Sequence, residues 1–548
     1  MYKTISKRNL FSFLGMLIPF FSFAQEQAEM TLSARIDQTF SNYTSWFVDL
    51  IFFEIPFSEE FQIPWVLIVL VGGAVYFTIY FKLINITGFW TAIKVVQGKY
   101  EDIEKHGVDT LYADPTPNDD ENIFETIRDD SADGEVSHFQ ALTAALSATV
   151  GLGNIAGVAV ALSIGGPGAT FWMVVAGLLG MASKFAECTL GVKYRDVGAD
   201  GTVYGGPMYY LKKGLAEKNM AGLGKVLAVI FAIFVIGGSF GGGNMFQANQ
   251  AAAQFTQLFE LGGGNAGFYF GLVMAALVAV VIIGGIKRIA SVTEKIVPFM
   301  AGIYVLAALV ILAANYHHIG DAFSLIFEGA FSGLGIAGGL VGVMIQGIRR
   351  GAFSNEAGVG SAAIAHSAVR TKYPASEGIV ALLEPFVDTV VICTMTALVI
   401  IITNFENGFM EYGTEITEGV EMTATAFDTV IPHFSIVLTI AVILFAFSTM
   451  ISWSYYGMQG WKYLFGKGKI TDLVYKILFL IFVVIGASIG LGSVINFSDA
   501  MIFAMVVPNI IGVLLLTPVI KRELNKYMNA INKKKDALEE GATDYNKL

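Results

Sequence analysis

The sequence predicts an all-α polytopic membrane protein of about eleven spans, ten of them falling into two sets of five. Three observations carry that expectation. Hydrophobic residues make up 55% of the 548-residue chain and charged residues only 14%, against about 25% charged in soluble proteins. The apolar runs are long and continuous, whereas a transmembrane β-barrel would show short alternating segments. One run in each set of five is interrupted by glycines and polar residues near its middle. The 60 glycines suit tightly packed membrane helices, where small residues let backbones approach.

In chain order, residues 1–24 read as a signal peptide. Lys3, Lys7 and Arg8 form a basic start, Leu10 to Phe23 an apolar run, and Ser22 and Ala24 suit a cleavage point. Residues 25–61 then form an external, weakly informative segment, and 62–84 an extra transmembrane helix. Residues 85–138 make an acidic cytoplasmic loop, with Arg128 the only basic residue between Lys105 and the end of its acidic run; its composition suits solvated, partly disordered chain. The first five-helix set covers 139–315, an outer amphipathic helix 316–332, the second set 333–520 and a cytoplasmic tail 521–548. Loop charge tests the orientation through the excess of Lys and Arg on cytoplasmic loops. Lys193, Arg195, Lys212, Lys213, Lys287, Arg288, Arg370, Lys372, Lys462, Lys467 and the tail lysines fall on one side. The stretch Glu406 to Glu421 on the other side carries no Lys or Arg. The mature N-terminus is therefore expected outside the inner membrane and the C-terminus in the cytoplasm.

The net charge of −11 argues against nucleic acid as a partner. Cys188 and Cys393 both sit in apolar segments, as small packing residues rather than a disulfide framework. No obligate protein partner is implied; the expected partners are the lipid bilayer, a small amino acid and a cation.

The stretch Ala145 to Gly157, ALSATVGLGNIAG, is the focal point. Glycines lower helix propensity and polar groups are costly in hydrocarbon, so non-helical backbone at this depth must line a cavity or be buried in protein. The matching interruption in the second half spans Ile345 to Gly351 and is followed by AFSNEAGVG. Paired broken helices in oppositely oriented halves point to a secondary transporter's site. Packing through the Gly153/Gly157 and Gly347/Gly351 pairs is the plainer use of these glycines. It leaves Asn154, Gln346, Asn355 and Glu356 unexplained.

Opening a helix frees amides and carbonyls. The N–H groups near Leu152 to Asn154 can hold a carboxylate, while freed carbonyls and hydroxyls suit a sodium ion. Thr149, Gly151 and Gly153 lie where a small ligand must fit. Gln247, on a later span, and Gln346 and Gly347, at the second interruption, are candidates to complete the pocket. Ser448 and Thr449 place adjacent hydroxyls in an apolar helix. Arg349, Arg350, Asn355 and Glu356 suggest a gate, with the arginines pairing to Glu356 as the cytoplasmic path closes. Lys184 and Glu187 are spaced to pair with each other on one helix.

Four stretches carry a resemblance: GGPGATFWMVV (165–175), YGGPMYYL (204–211), RGAFSNEAGVGSA (350–362) and FSTMISWSYYG (447–457). Together they resemble signatures of the alanine-or-glycine:cation symporter family over about residues 137–520. The resemblance implies the leucine-transporter fold, a 5+5 inverted repeat with one extra N-terminal helix, and sodium-coupled symport of alanine, glycine or a similar amino acid. Thr149 to Asn154 also looks like the broken first helix of neurotransmitter:sodium symporters. That likeness implies a sodium at Asn154 beside the substrate carboxylate, and a second held by the Ser147 and Val150 carbonyls with Ser448 and Thr449. No other cofactor is expected.

An enzyme is disfavoured. Gly151 to Ala156 fits a dinucleotide fingerprint but lacks the strand–turn–helix setting that gives such a match meaning. An ion channel, or a transport-like amino-acid sensor, is the alternative reading.

Overall fold

The structure, a computed structural model, describes residues 32–58, 62–112, 134–198, 201–261, 265–331, 339–414, 419–543 and 545. The expected signal peptide and most of the acidic run lie outside these residues. The described chain is overwhelmingly helical, with two short antiparallel hairpins, Glu54–Pro56 with Gln62–Pro64 and Asp196–Val197 with Val203–Tyr204.

Among the described residues, seven helices are long and apolar enough to cross a membrane: Ala169–Lys193, Ala221–Leu258, Lys287–Ala314, Pro374–Asn407, Phe434–Phe465, Lys469–Ser488 and Leu491–Glu539. An eighth candidate is the bent pair His138–Thr149 and Leu152–Gly165, which turns by 56°. Trp65–Tyr80 and Ala266–Ile282 are apolar but shorter. The last helix runs on to Glu539, so the expected tail begins as its continuation rather than as separate chain.

The sequence explains where the first break falls. Ser137 caps the incoming half, accepting from the Gln140 amide while Gln140 Oε1 accepts from the Ser137 amide, a reciprocal pair that fixes the helix start. Fourteen residues after Ser137 the chain meets Gly151, and Gly153 follows. Gly151 is extended, Leu152–Asn154 form one 3-10 turn, and Ala156–Gly165 resumes the helix.

The second break differs from the expected one. Gly339–Asn355 is a continuous helix through Ile345 to Gly351. The interruption comes at Glu356 to Ser361, where Glu356, Gly358 and Gly360 take positive φ (55°, 82° and 91°), and Ala362–His366 follows. The physical reason is that glycine alone does not stop a membrane helix whose small face packs on a neighbour. At Gly347 an added Cβ would lie 2.4 Å from the Ala169 carbonyl oxygen, so this glycine marks close helix packing. Two further irregularities flank the first break: π-helical turns at Gly241–Met245 and Phe386–Cys393. Such turns shift the register of side chains and recur at functional sites.

The segment expected as a solvated loop is ordered over its first part. Ile84–Thr87, Phe89–Val96, Glu101–His106 and Val108–Leu111 are helical, and Asp102 and Glu104 are buried. Val136 and Val369 pair as an isolated bridge, and the Arg370 amide donates to the Val136 carbonyl at 2.9 Å. The entry to the first broken helix and the exit from the second are thereby tied together.

Candidate functional site

The site grows from the first break. The Gly151 amide donates to Asn154 Oδ1 at 2.8 Å, and the Leu152 amide to Gln247 Oε1 at 3.1 Å. Gln247 stands just after the Gly241–Met245 turn and returns its Nε2 to the Gly242 carbonyl at 3.0 Å. Two side-chain amide oxygens thus occupy places that a ligand carboxylate would take. These two amides are satisfied, as buried backbone donors must be.

Beside them is a small polar cleft with room for about one water molecule, walled by Thr149, Gly153, Gln247, Ser354, Glu356 and Trp453 among others. Glu356, at the second break, accepts from Trp453 Nε1 at 3.0 Å and from Ser361 Oγ at 2.5 Å. Trp453 reaches it because position 243 is glycine: an added Cβ would meet the indole Cγ at 2.2 Å.

Asn154 turns its Nδ2 to Asp388, with 2.7 Å to Oδ1 and 3.0 Å to the carbonyl. Ser354 Oγ and Thr389 Oγ1 each donate to Asp388 Oδ2 at 2.8 Å. Asp388 is fully buried within the second π turn. An amide and two hydroxyls around one carboxylate make an oxygen-rich pocket that can accept a hard monovalent cation if the amide rotates. Nearby, Thr449 Oγ1 donates to the Ser147 carbonyl and Ser147 Oγ to the Ser448 carbonyl, both at 2.9 Å. Val150 ends the incoming half-helix next to them.

Most of the expected residues therefore come together: Thr149, Gly153 and Gln247 line the cleft, Gly151, Leu152 and Asn154 join through the hydrogen bonds at the break, and Ser147, Val150, Ser448 and Thr449 meet at the end of the incoming half-helix. Gln346 and Gly347 do not join them; they sit inside an unbroken helix, with Gln346 against Gly165 and Gly347 against Ala169 and Trp172.

The expected gate is rewired. Arg349 and Arg350 both bind Asp499, Arg349 Nε at 2.8 Å and Arg350 through Nη2. Glu356 lies beyond them, committed to Trp453 and Ser361. Asn355 holds the break, donating to Thr389 Oγ1 at 2.9 Å and accepting the Ala357 amide at 2.9 Å. Lys184 pairs with Glu384 at 3.1 Å, while Glu187 accepts from Asn509 at 3.0 Å, so the two are not each other's partners.

Sequence reasoning missed Asp388, Asp499, Ser354 and Trp453. The two aspartates were detectable, because an acid within or at the edge of an apolar span is a functional signal by default. Ser354 and Trp453 gave no signal of their own, since a hydroxyl or indole in a helix usually packs.

Comparisons with known proteins follow this geometry. The model of the sodium:alanine symporter family matches residues 121–540. The sodium/alanine symporter AgcS of Methanococcus maripaludis is 45% identical over 411 residues, covering 75% of this chain and 88% of AgcS. The amino-acid carrier protein AlsT of Bacillus subtilis is 35% identical over 403 residues, covering 72% and 80%. The probable sodium/glutamine symporter GlnT of the same organism is 34% identical over 394 residues, covering 72% and 78%. Among solved structures, MhsT in complex with L-phenylalanine aligns at a TM-score of 0.50 and 13% identity, over 73% of this chain and 99% of that one, a likeness of fold. A multi-pass helical body opened around a buried polar pocket is what such a protein needs, and the chain belongs to the sodium:alanine symporter family, a family of membrane transporters and not of enzymes, with sodium as the coupling ion.

Proposed function

We propose that the chain takes up a small neutral amino acid, alanine or glycine, together with sodium by alternating access. The observation that carries this reading is the first helix break, where the Gly151 and Leu152 amides are held by the Asn154 and Gln247 side chains beside a small polar cleft. A substrate carboxylate displaces Gln247 Oε1 from the Leu152 amide. Thr149, Gly153 and Trp453 leave room for little more than a methyl group. Sodium binds at Asp388 with Asn154 and Ser354, close enough to the carboxylate that each charge offsets the other's desolvation. Ser147, Val150, Ser448 and Thr449 form the second cation position.

Eleven spans then divide into one extra helix, Trp65–Tyr80, and two inverted sets of five, from His138 and from Gly339. With the basic loops in the cytoplasm, Arg349, Arg350 and Asp499 lie on the outer side of the pocket. They close the outer path, and the inner path closes near His138. The signal sequence would direct the N-terminus outward across the inner membrane.

Accumulation of labelled alanine and glycine in proteoliposomes, with and without an inward sodium gradient, tests the reading. Uphill, sodium-dependent uptake is expected. Equilibration without concentration would indicate a channel, and binding without flux a sensor.

A further inference from the structure

A chain of buried acids and imidazoles leads from one end of the protein toward the Asp388 pocket, and the transport reading leaves it unused. Glu104 accepts from Tyr527 on Oε1, and its Oε2 lies 2.8 Å from His138 Nε2. His138 Nδ1 meets Glu377 Oε2, and Glu377 Oε1 lies 2.5 Å from His366 Nδ1. His366 Nε2 meets Glu384 Oε1, and Glu384 Oε2 accepts from Lys184 Nζ at 3.1 Å. Every carboxylate uses a different oxygen for each neighbour, and both imidazoles are engaged at both nitrogens. An imidazole held this way takes a proton at one nitrogen and releases one from the other. Glu377, Glu384 and Asp388 stand seven and four residues apart along one span, Pro374–Asn407, with Asp388 in its π turn.

Charge balance says that this interior carries more acid than base. Six carboxyl groups, Glu104, Glu187, Glu356, Glu377, Glu384 and Asp388, are each 6% exposed or less. They share the interior with three bases, Lys184, His366 and His138, whose side chain is 12% exposed. With all three bases charged, and the one surplus positive charge of Arg349 and Arg350 over Asp499 counted in, two carboxylates still lack a counter-charge, and unpaired buried charge is too costly to persist. Protons or bound cations must fill the deficit.

A metal ion is the competing occupant, since Cys188, His366 and Glu384 could offer ligand atoms to one. Both His366 nitrogens already meet carboxylates, however, and both Glu384 oxygens are taken. At the exposed end, Tyr100 and Tyr373 stay protonated, their phenols pushed up by burial, with Glu104 nearby adding to the effect. His106 is pushed down by burial and by the Lys372 and Lys105 charges. Asp102 is matched by Lys534. Glu104 and His138 are thus the groups through which a proton enters.

We propose that the Glu104–His138–Glu377–His366–Glu384 relay exchanges a proton for sodium at the transport site. The inference rests on the sodium reading of Asp388. With sodium bound there, Glu384 is ionised and pairs with Lys184. When sodium leaves, a hydronium at the Glu104 end gives up its proton to become water. One proton shifts at each link, and Glu384 gains the O–H bond. Lys184, freed of its partner's charge, then compensates Asp388 electrostatically. Sodium binding reverses these shifts and expels the proton.

The test uses the purified full chain in weakly buffered detergent solution with a pH-indicator dye. Addition of sodium chloride and alanine is expected to release about one proton per transporter, and potassium chloride none. Apparent sodium affinity should fall up to tenfold for each pH unit of acidification over the titration range of the relay. His366→Gln should abolish release and flatten that dependence while sodium-dependent alanine binding persists. His138→Gln, at the more exposed end, should do the same and serves where His366→Gln does not fold. Sodium-dependent alanine binding without proton release in the wild type would overturn the relay and leave the symport reading standing. No sodium-dependent binding at all would overturn both. Variants that keep the wild-type release and pH slope would also overturn it.

Discussion

Gly151→Ala tests the helix break most directly. An alanine Cβ at 151 would lie 2.6 Å from Thr449 Oγ1 and 3.2 Å from Gln247 Oε1. Neither oxygen is free to retreat: Thr449 donates to the Ser147 carbonyl at 2.9 Å, and Gln247 is held by the Leu152 amide and the Gly242 carbonyl. One added methyl in such packing costs about 1–3 kcal/mol. Here the cost falls on the groups assigned to substrate and sodium, so it should appear as a roughly 5- to 150-fold loss in both affinities. The control is Gly157→Ala, six residues on in the same broken span, where nothing lies within 4 Å of an added Cβ. That variant should fold and transport as the parent does. The assay is sodium-driven alanine uptake in proteoliposomes, with full activation curves for each solute and thermal unfolding as a check on folding. Parental uptake by Gly151→Ala, or equal damage from both substitutions, would refute the assignment and make these glycines helix-packing residues.

Other substitutions separate the parts of the site. Asp388→Asn keeps the shape but removes the charge. Hydrogen bonds to charged groups contribute about 1.5–3 kcal/mol, so half-activation by sodium should rise at least roughly tenfold, measured by sodium-dependent alanine binding. Asp499→Asn strands the buried Arg350 beside Arg349, at about 3–5 kcal/mol, whereas Arg350→Gln leaves Asp499 paired with Arg349 and should cost less. Each should lower turnover more than sodium affinity, and the double variant should be less impaired than the two single effects combined. Gly243→Ala drives a Cβ into Trp453 and should lower the unfolding temperature while breaking the Trp453–Glu356 bond, seen as a shift in tryptophan fluorescence.

Membrane helices and the first break were both legible in the sequence, because each depends on local chemistry. A stretch without charge seeks lipid wherever it falls, and glycines beside Asn154 weaken a helix that has no water to repair it. The second break was misplaced for an instructive reason. Gln346, Gly347 and Gly351 look like helix breakers, but Gly347 packs so closely on Ala169 that the helix is supported through them. The true break, at Glu356 to Gly360, lay just downstream in a stretch already singled out.

Partnerships were beyond sequence reasoning. Arg349 and Arg350 are separated from Asp499 by about 150 residues of chain, and Lys184 from Glu384 by 200. Nothing in local spacing distinguishes these pairs from Arg350 with Glu356 or Lys184 with Glu187. The sequence by itself determined that charged and polar groups had to be buried in this membrane body, and where the first broken helix would open. Only the tertiary structure decided which buried charges meet, because that depends on how the helices pack, and a buried charge takes its partner from whichever neighbouring helix presents one.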